Sequence, residues 1–283
     1  MKKNTLPILL IICFFSLFIV GCSNVNENSM VNDEMRVHYI NVGQGDSILI
    51  QVNNINILID AGPKDSKTQL MNYLSSLKIE KLDYVVATHP HEDHIGNMAD
   101  VINNFQVVNF YAPKVESTTK TFEKMISALK YNNLKINVIK AGVDSIDLGD
   151  NTKVTVFSPN KDKYENLNNY SPIIKVEYKK NSFLFTGDAE KEVEKEVLSA
   201  GYNISADVLK FGHHGSSSST SEEFFKKVNP SIGVICAGTD NSYGHPHKET
   251  LKLIKKNNLT VYRTDLDGNV VLVSDGQNIT IAK

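Results

Sequence analysis

Leu82-Asp83-Tyr84-Val85-Val86-Ala87-Thr88-His89-Pro90-His91-Glu92-Asp93-His94 is an apolar run that stops on a cluster of metal-ligand side chains. Three imidazoles and two carboxylates fall within the last six residues, in the pattern HxHxDH. A strand that ends this way presents its ligands at its C-terminal edge. His89 and His91, two apart, point at one metal ion, while Asp93 and His94 reach a second. Neutral imidazole and carboxylate suit zinc, and also manganese or iron. A lone histidine is ordinarily a surface or hydrogen-bonded core residue. Four ligand-type side chains at this spacing, with Gly96 close behind, read as a metal site and predict a metal-dependent hydrolase.

Seven of the eight histidines lie in three groups, and His38 stands apart. Between the first two groups Phe185-Thr186-Gly187-Asp188 places a carboxylate just past an apolar strand. Alone it reads as a turn aspartate; beside HxHxDH it reads as a ligand that bridges two cations. The second group, Leu209-Lys210-Phe211-Gly212-His213-His214-Gly215-Ser216, is another strand ending on imidazoles. One of the pair is read as a ligand and the other as a proton donor or phosphate contact. We place His213 as the metal ligand and His214 as the catalytic group, with their order open. Asp93 is read as both ligand and catalytic group. Ser216 and neighbouring N–H groups are expected to hold an anion ahead of the next helix, and Lys210 to contact substrate. In Tyr243-Gly244-His245-Pro246-His247, His245 is read as a substrate contact, proton donor or extra ligand, and His247 as a helix-terminal residue. Asp60, after the strand Ile55 to Ile59, is expected to orient a ligand histidine.

The first part of the chain reads as a β-meander: Met35 to Val42, Ser47 to Val52 and Ile55 to Ile59, joined by Gly43-Gln44-Gly45-Asp46 and Asn53-Asn54. Ser66 to Leu77 has helical spacing, with Leu70, Tyr73, Leu74 and Leu77 on one face. Beyond the histidine cluster, helices are predicted at Asn97 to Asn103, Thr118 to Tyr131, Glu190 to Ala200, Ser221 to Val228 and Lys248 to Lys256. Strands are predicted between them, including a hairpin around Lys179-Lys180-Asn181. Mixed strands with interspersed helices imply two sheets flanked by helices, an α/β layered architecture.

Residues 1 to 21 read as a targeting segment: Lys2 and Lys3, then an apolar stretch from Leu6 to Val20, then Ile19-Val20-Gly21-Cys22, which looks like a bacterial lipobox. Cleavage before Cys22 would leave that residue lipidated; an uncleaved N-terminal anchor is the alternative. Both readings put the catalytic part outside the cytoplasmic membrane. Residues 22–34 read as a solvated linker, and 35–283 as the hydrolase domain. Cys236, in an apolar strand pattern, is expected to be a small core residue. The targeting segment holds two lysines and no acid, so the remainder carries 28 basic against 32 acidic side chains. That balance excludes a protein whose whole surface grips nucleic acid.

These motifs resemble the metallo-β-lactamase-fold hydrolases. More narrowly, Asn41-Val42-Gly43-Gln44-Gly45-Asp46-Ser47, Leu58-Ile59-Asp60-Ala61-Gly62, Phe185-Thr186-Gly187-Asp188, His213-His214-Gly215-Ser216, Tyr243-Gly244-His245-Pro246 and Thr264-Asp265-Leu266-Asp267-Gly268 resemble the extracellular hydrolase domain of the ComEC competence proteins. The resemblance spans residues 35 to 283. It implies a four-layer αββα sandwich with two divalent metal ions, zinc or manganese, at one edge of the central sheets. Many members supply a further histidine between HxHxDH and the bridging Asp. Here none lies between 95 and 212, and Asn168, Asn169 and Ser171 occupy the region, which makes the His89/His91 side the weaker half. The implied chemistry is hydrolysis of a phosphodiester, with a metal-activated water attacking phosphorus. Extracellular DNA or a teichoic-acid-like phosphodiester is the expected substrate. The alternatives are β-lactam or lactone hydrolysis, and a non-catalytic metal- or DNA-binding surface lipoprotein.

Overall fold

The computed structural model describes Met1 and residues 33–282. The expected signal segment, the lipidated Cys22 and most of the linker lie outside the described residues. Asp33 is already tied to the domain: its carboxylate accepts from Tyr178 Oη at 2.8 Å and pairs with Lys179 at 2.6 Å.

The first half of the domain runs β1 (Met35–Tyr39), β2 (Ile48–Val52), β3 (Ile55–Ile59), α1 (Lys67–Ser76), β4 (Lys81–Val86), α2 (Glu92–Ile95), α3 (Met98–Asn104), β5 (Gln106–Ala112), α4 (Lys120–Tyr131) and β6 (Ile136–Val138). The second runs β7 (Thr152–Val156), β8 (Ile174–Tyr178), β9 (Asn181–Phe185), α5 (Lys191–Ser199), β10 (Val208–Lys210), α6 (Glu222–Val228), β11 (Ile232–Ile235), α7 (Lys248–Lys256), β12 (Thr260–Arg263) and α8 (Thr264–Asp267). The chain then returns to the first sheet as β13 (Val270–Ser274) and β14 (Ile279–Ile281).

The sheets have the orders β14-β13-β1-β2-β3-β4-β5-β6 and β12-β11-β10-β9-β8-β7. Each joins an antiparallel part to a parallel part: β1-β2-β3 then β3-β4-β5-β6, and β7-β8-β9 then β9-β10-β11-β12. Strand alternation sorts side chains into layers. Val37, Tyr39, Ile48, Ile50, Ile57 and Ile59 meet Ile174, Val176, Phe183, Phe185, Val208 and Val234 between the sheets. The opposite parity, Leu49, Leu58 and Val85, packs on Leu70 and Leu74 of α1, Val101 of α3 and Met125 of α4. Leu184, Leu209 and Ile235 pack on Val193 and Val197 of α5 and Phe224 of α6. The result is a four-layer αββα sandwich, as the sequence predicts. Each fully buried Leu, Ile or Phe contributes about 1.5–3 kcal/mol.

Helix ends follow local chemistry. Thr119 accepts the Phe122 N–H to start α4, and Ser221 accepts the Phe224 N–H to start α6. Asn229, left-handed at φ 51°, ends α6. Two short helices escape the sequence reading: α2, inside HxHxDH, and α8, within Thr264–Gly268. Four residues are too few to show a periodicity. The first strand stops at Tyr39, short of Val42, because the chain turns there into the loop that packs on the metal-ligand residues.

Candidate metal centre

The C-terminal ends of β3, β4, β9, β10 and β11 converge at one edge of the sandwich, where ligands collect in open α/β sheets. β3 delivers Asp60, β4 delivers Thr88 and His89, β9 delivers Asp188, and β10 delivers His213 and His214. Several of these sit on strained backbone. Asp60, His213 and His214 are left-handed at φ 60°, 48° and 54°. Such conformations cost about 1–3 kcal/mol each and gather at functional sites.

Asp93, His94, Asp188 and His214 each offer a ligand atom, all within 4.8 Å of one another. Asp188 Oδ2 is 3.2 Å from His94 Nε2, 3.5 Å from His214 Nε2, 3.6 Å from His213 Nε2 and 3.8 Å from His89 Nε2. Asp93 Oδ2 is 3.3 Å from His214 Nε2. His91 stands beside this group, with Nδ1 3.0 Å from His89 Nε2.

The back of each ring is already occupied. His94 Nδ1 donates to Asp60 at 2.8 Å, and Thr88 donates to Asp60 from its N–H (2.8 Å) and its hydroxyl (2.7 Å). His89 Nδ1 lies 3.1 Å from Thr88 Oγ1 and 3.2 Å from Ser171 Oγ. His214 Nδ1 donates to the Cys236 carbonyl at 2.9 Å, with Asp46 at 3.3 Å. With Nδ1 holding the proton, each Nε2 lone pair faces the centre.

The residues present fit a dinuclear metal centre. His94 Nε2, His214 Nε2 and Asp188 Oδ1 are buried without an aligned hydrogen-bond partner, although Asp188 is close to both rings. Buried polar atoms are normally satisfied, so these orphans within one ligand group mark a place for a cation. The electrostatics agree. Burial opposes a charge on His94, yet Asp188, Asp93 and Asp60 outweigh it and hold its pKa well above the usual imidazole value. Burial opposes a charge on His214 too, and Asp188 and Asp46 outweigh it. Burial would raise Asp188, but His94 and His214 hold it well below the carboxylate range. A dication answers the same negative field and displaces the protons.

A cleft of about 320 Å³ opens over this centre, lined by Gln44, His91, Glu92, Asp93, Asn168, Asp188, His213, His214, Tyr243 and His245. His245 is one of the lining residues, stacked on Tyr243 with ring centroids 5.6 Å apart and planes 16° apart.

Two sequence-based assignments change, and one left open narrows. Of the histidine pair, His214 belongs to the four-residue ligand group, while His213, with Nε2 3.6 Å from Asp188 Oδ2, turns Nδ1 to Ser218 Oγ (3.1 Å) and Glu190 (3.4 Å). Lys210 does not reach substrate. It is fully buried and pairs with Asp46 beneath His214, and it donates to the Gly187 carbonyl at 3.2 Å. Ser216 spends its hydroxyl inside its own loop, accepting the Ser218 N–H at 3.2 Å. The anion place ahead of α6 is filled by Glu194, which accepts the N–H groups of Thr220 and Ser221. His247 accepts the Ser217 N–H at 3.0 Å at the start of α7, and Cys236 is buried in the core.

Asp46 and Gln44 also belong to the site, and their residue types alone do not mark them. They lie in the Gly-framed turn after β1, where an acid reads as turn chemistry. The turn is pressed on the metal-ligand loop: Asp46 N–H donates to the Asp93 carbonyl at 3.2 Å, and a Cβ on Gly45 (φ 151°) would collide with that same carbonyl.

Fold and site together define a metallo-hydrolase fold with a candidate metal site at its edge. Residues 40–239 match the Metallo-beta-lactamase superfamily, and the chain belongs to that superfamily. It is 33% identical over 274 residues to ComE operon protein 3 of Bacillus subtilis, covering 90% of this chain and 34% of that protein. It is 26% identical over 265 residues to Recombination protein 2 of Haemophilus influenzae, covering 91% and 31%. The chain thus spans about a third of the length of these curated relatives. Its fold is similar to that of Igni18, a metallo hydrolase from Ignicoccus hospitalis, with a TM-score of 0.57 and 18% identity over 83% of this chain and 98% of that one.

Proposed function

We propose that the chain hydrolyses phosphodiesters at the outer face of the cytoplasmic membrane, anchored by lipid on Cys22. The observation that carries this reading is the arrangement at Asp188: it shares a four-residue ligand group with Asp93, His94 and His214, and its Oδ2 also lies 3.8 Å from His89, which stands beside His91. Zinc is the first choice for these donors and manganese the second. When bound, two divalent ions would set positive charge against the phosphoryl oxygens and activate a water for attack.

The chain's own residues do the rest. Asp188 lies between the two sets of imidazoles. Asp60, Thr88, Ser171 and the Cys236 carbonyl hold the rings in one tautomer. His213 and His245 line the cleft, where an imidazole N–H meets the oxygens of a bound phosphodiester and the proton needed by the leaving oxygen is at hand. Asn168 and Ser171 stand in the region where many relatives place another histidine. Ser171 holds His89 Nδ1 from behind, so it positions a ligand and is not one itself.

The name of one relative, Recombination protein 2, supports DNA as the substrate, and the proposed anchor would make that DNA extracellular. The acidic balance of the chain favours a short contact with a strand over an extended basic groove. The test is cleavage of single- and double-stranded DNA with Mn²⁺ or Zn²⁺ by the parent and by His94→Ala. Cleavage by the parent alone supports the reading. A parent inert on DNA yet active on bis(p-nitrophenyl) phosphate moves the substrate to a cell-wall phosphodiester of the teichoic-acid type. Bound metal with no turnover of either overturns the enzyme assignment.

A further inference from the structure

Gln44 bridges two parts of the chain that are far apart in sequence. Its Oε1 accepts the Gly238 N–H at 3.1 Å, and its Nε2 lies 3.4 Å from His245 Nδ1. Gly238 permits the approach, because a Cβ there would lie 2.6 Å from the Gln44 backbone nitrogen. The chemistry of the amide then decides the ring. A backbone N–H can only donate, so the atom facing Gly238 is the oxygen. The other end is therefore NH₂, which can only donate, and His245 Nδ1 has to accept.

The backbone that carries the ring is held in place. The His245 main-chain N–H donates to Asn241 Oδ1 at 2.9 Å, and Asn241 Nδ2 donates to the His245 main-chain carbonyl at 2.7 Å. Tyr243 stacks on one face and His247 meets the ring edge-on at 4.7 Å. Its Nε2 has no hydrogen-bond partner among the described residues, and the ring lines the metal cleft.

We propose that Gln44 is a positioning residue that fixes His245 as the neutral tautomer protonated on Nε2, so that His245 offers one hydrogen-bond donor to a non-bridging phosphoryl oxygen in the cleft. A second proton, on Nδ1, would face the Gln44 amide donor to donor in a nearly buried place. A protonated Nε2 has no lone pair for a metal, so in this state His245 is a substrate contact and not an extra ligand. The phosphoryl contact rests on the phosphodiesterase reading; the tautomer does not.

The experiment uses the zinc-loaded full chain with ¹⁵N-labelled histidine, read by long-range ¹H–¹⁵N correlation at neutral pH. The expected parent spectrum shows His245 protonated at Nε2 and bare at Nδ1. In Gln44→Glu the carboxylate accepts instead of donating, so Nδ1 becomes protonated. With metal content unchanged, kcat/KM for bis(p-nitrophenyl) phosphate then falls by about ten-fold, the scale of one lost hydrogen bond. Gln44→Leu, which removes the donor without adding charge, gives a mixture of tautomers. A parent protonated at Nδ1, or a His245 signal unchanged in both variants, overturns the proposal. A parent with the expected tautomer that hydrolyses no phosphodiester overturns the phosphoryl contact together with the functional reading, and supports the role of Gln44 in the ring's tautomer.

Discussion

Lys210 and Asp46 form an ion pair with no meaningful solvent exposure, directly behind His214. Burial would raise Asp46, but Lys210 and His214 outweigh it and lower its pKa to about 2. Lys210 also donates to the Gly187 carbonyl, one residue before Asp188. One ammonium thus braces the supports of two metal-ligand residues. Lys210→Met leaves a buried carboxylate unpaired and should destabilise the metal-free protein by about 3–5 kcal/mol. Lys210→Met with Asp46→Leu removes both charges and should recover most of that stability. Metal affinity should stay about 10–100-fold weaker, because the support of His214 is gone. Denaturant unfolding and zinc titration read the two effects separately; a single variant that changes neither refutes the bracing role.

The two sides of Asp188 should differ in metal stoichiometry. The parent is expected to bind two ions by equilibrium dialysis and elemental analysis. His91→Ala should retain the ion held by Asp93, His94, Asp188 and His214 and lose the other. Asp188→Ala should lose both, since its carboxylate lies against the rings of His89, His94, His213 and His214. Two ions in Asp188→Ala would show that it does not bridge.

Glu194 reaches from α5 to the N–H groups of Thr220 and Ser221, closing the loop that carries His213 and His214. Glu194→Ala orphans two donors at about 1–3 kcal/mol each. The expected outcome is a lower Tm together with faster amide exchange across residues 212–221. Unchanged exchange there would show that the loop is held by other contacts.

His38 titrates away from the site. It is buried beside Tyr73, with Nδ1 2.9 Å from the phenol oxygen, and burial lowers its pKa to about 4. The unfolded chain binds the proton near 6.5. Its stabilising contribution is therefore complete above pH 6.5 and is lost as the pH falls from about 6.5 to 4, by about 3 kcal/mol in all. His38→Phe should flatten that part of the stability curve. Parallel curves for parent and variant across this window would exclude His38 as its source.

Much of the fold can be read locally. β3 at Ile55–Ile59 and α7 at Lys248–Lys256 fall on the residues that periodicity marks, because strand and helix spacing are properties of neighbouring residues. His89, His91, Asp93 and His94 lie within six residues, so any strand ending there brings them together. The burial of Lys210 is legible in the strand alternation as well. Val208 and Lys210 share a strand face, and Val208 points between the sheets.

What the chain states by itself is a layered α/β domain with a metal-ligand hexad at the end of a strand. The tertiary structure alone chose His214 over His213, since the two are adjacent and alike in sequence. The choice rests on two left-handed residues and on the Cys236 carbonyl, 22 residues away, that accepts from His214 Nδ1. The same holds for Asp46, Ser171 and Gln44. Each acts through directional hydrogen bonds or ion pairs to residues distant in the chain, and such partners exist only once the two sheets have packed.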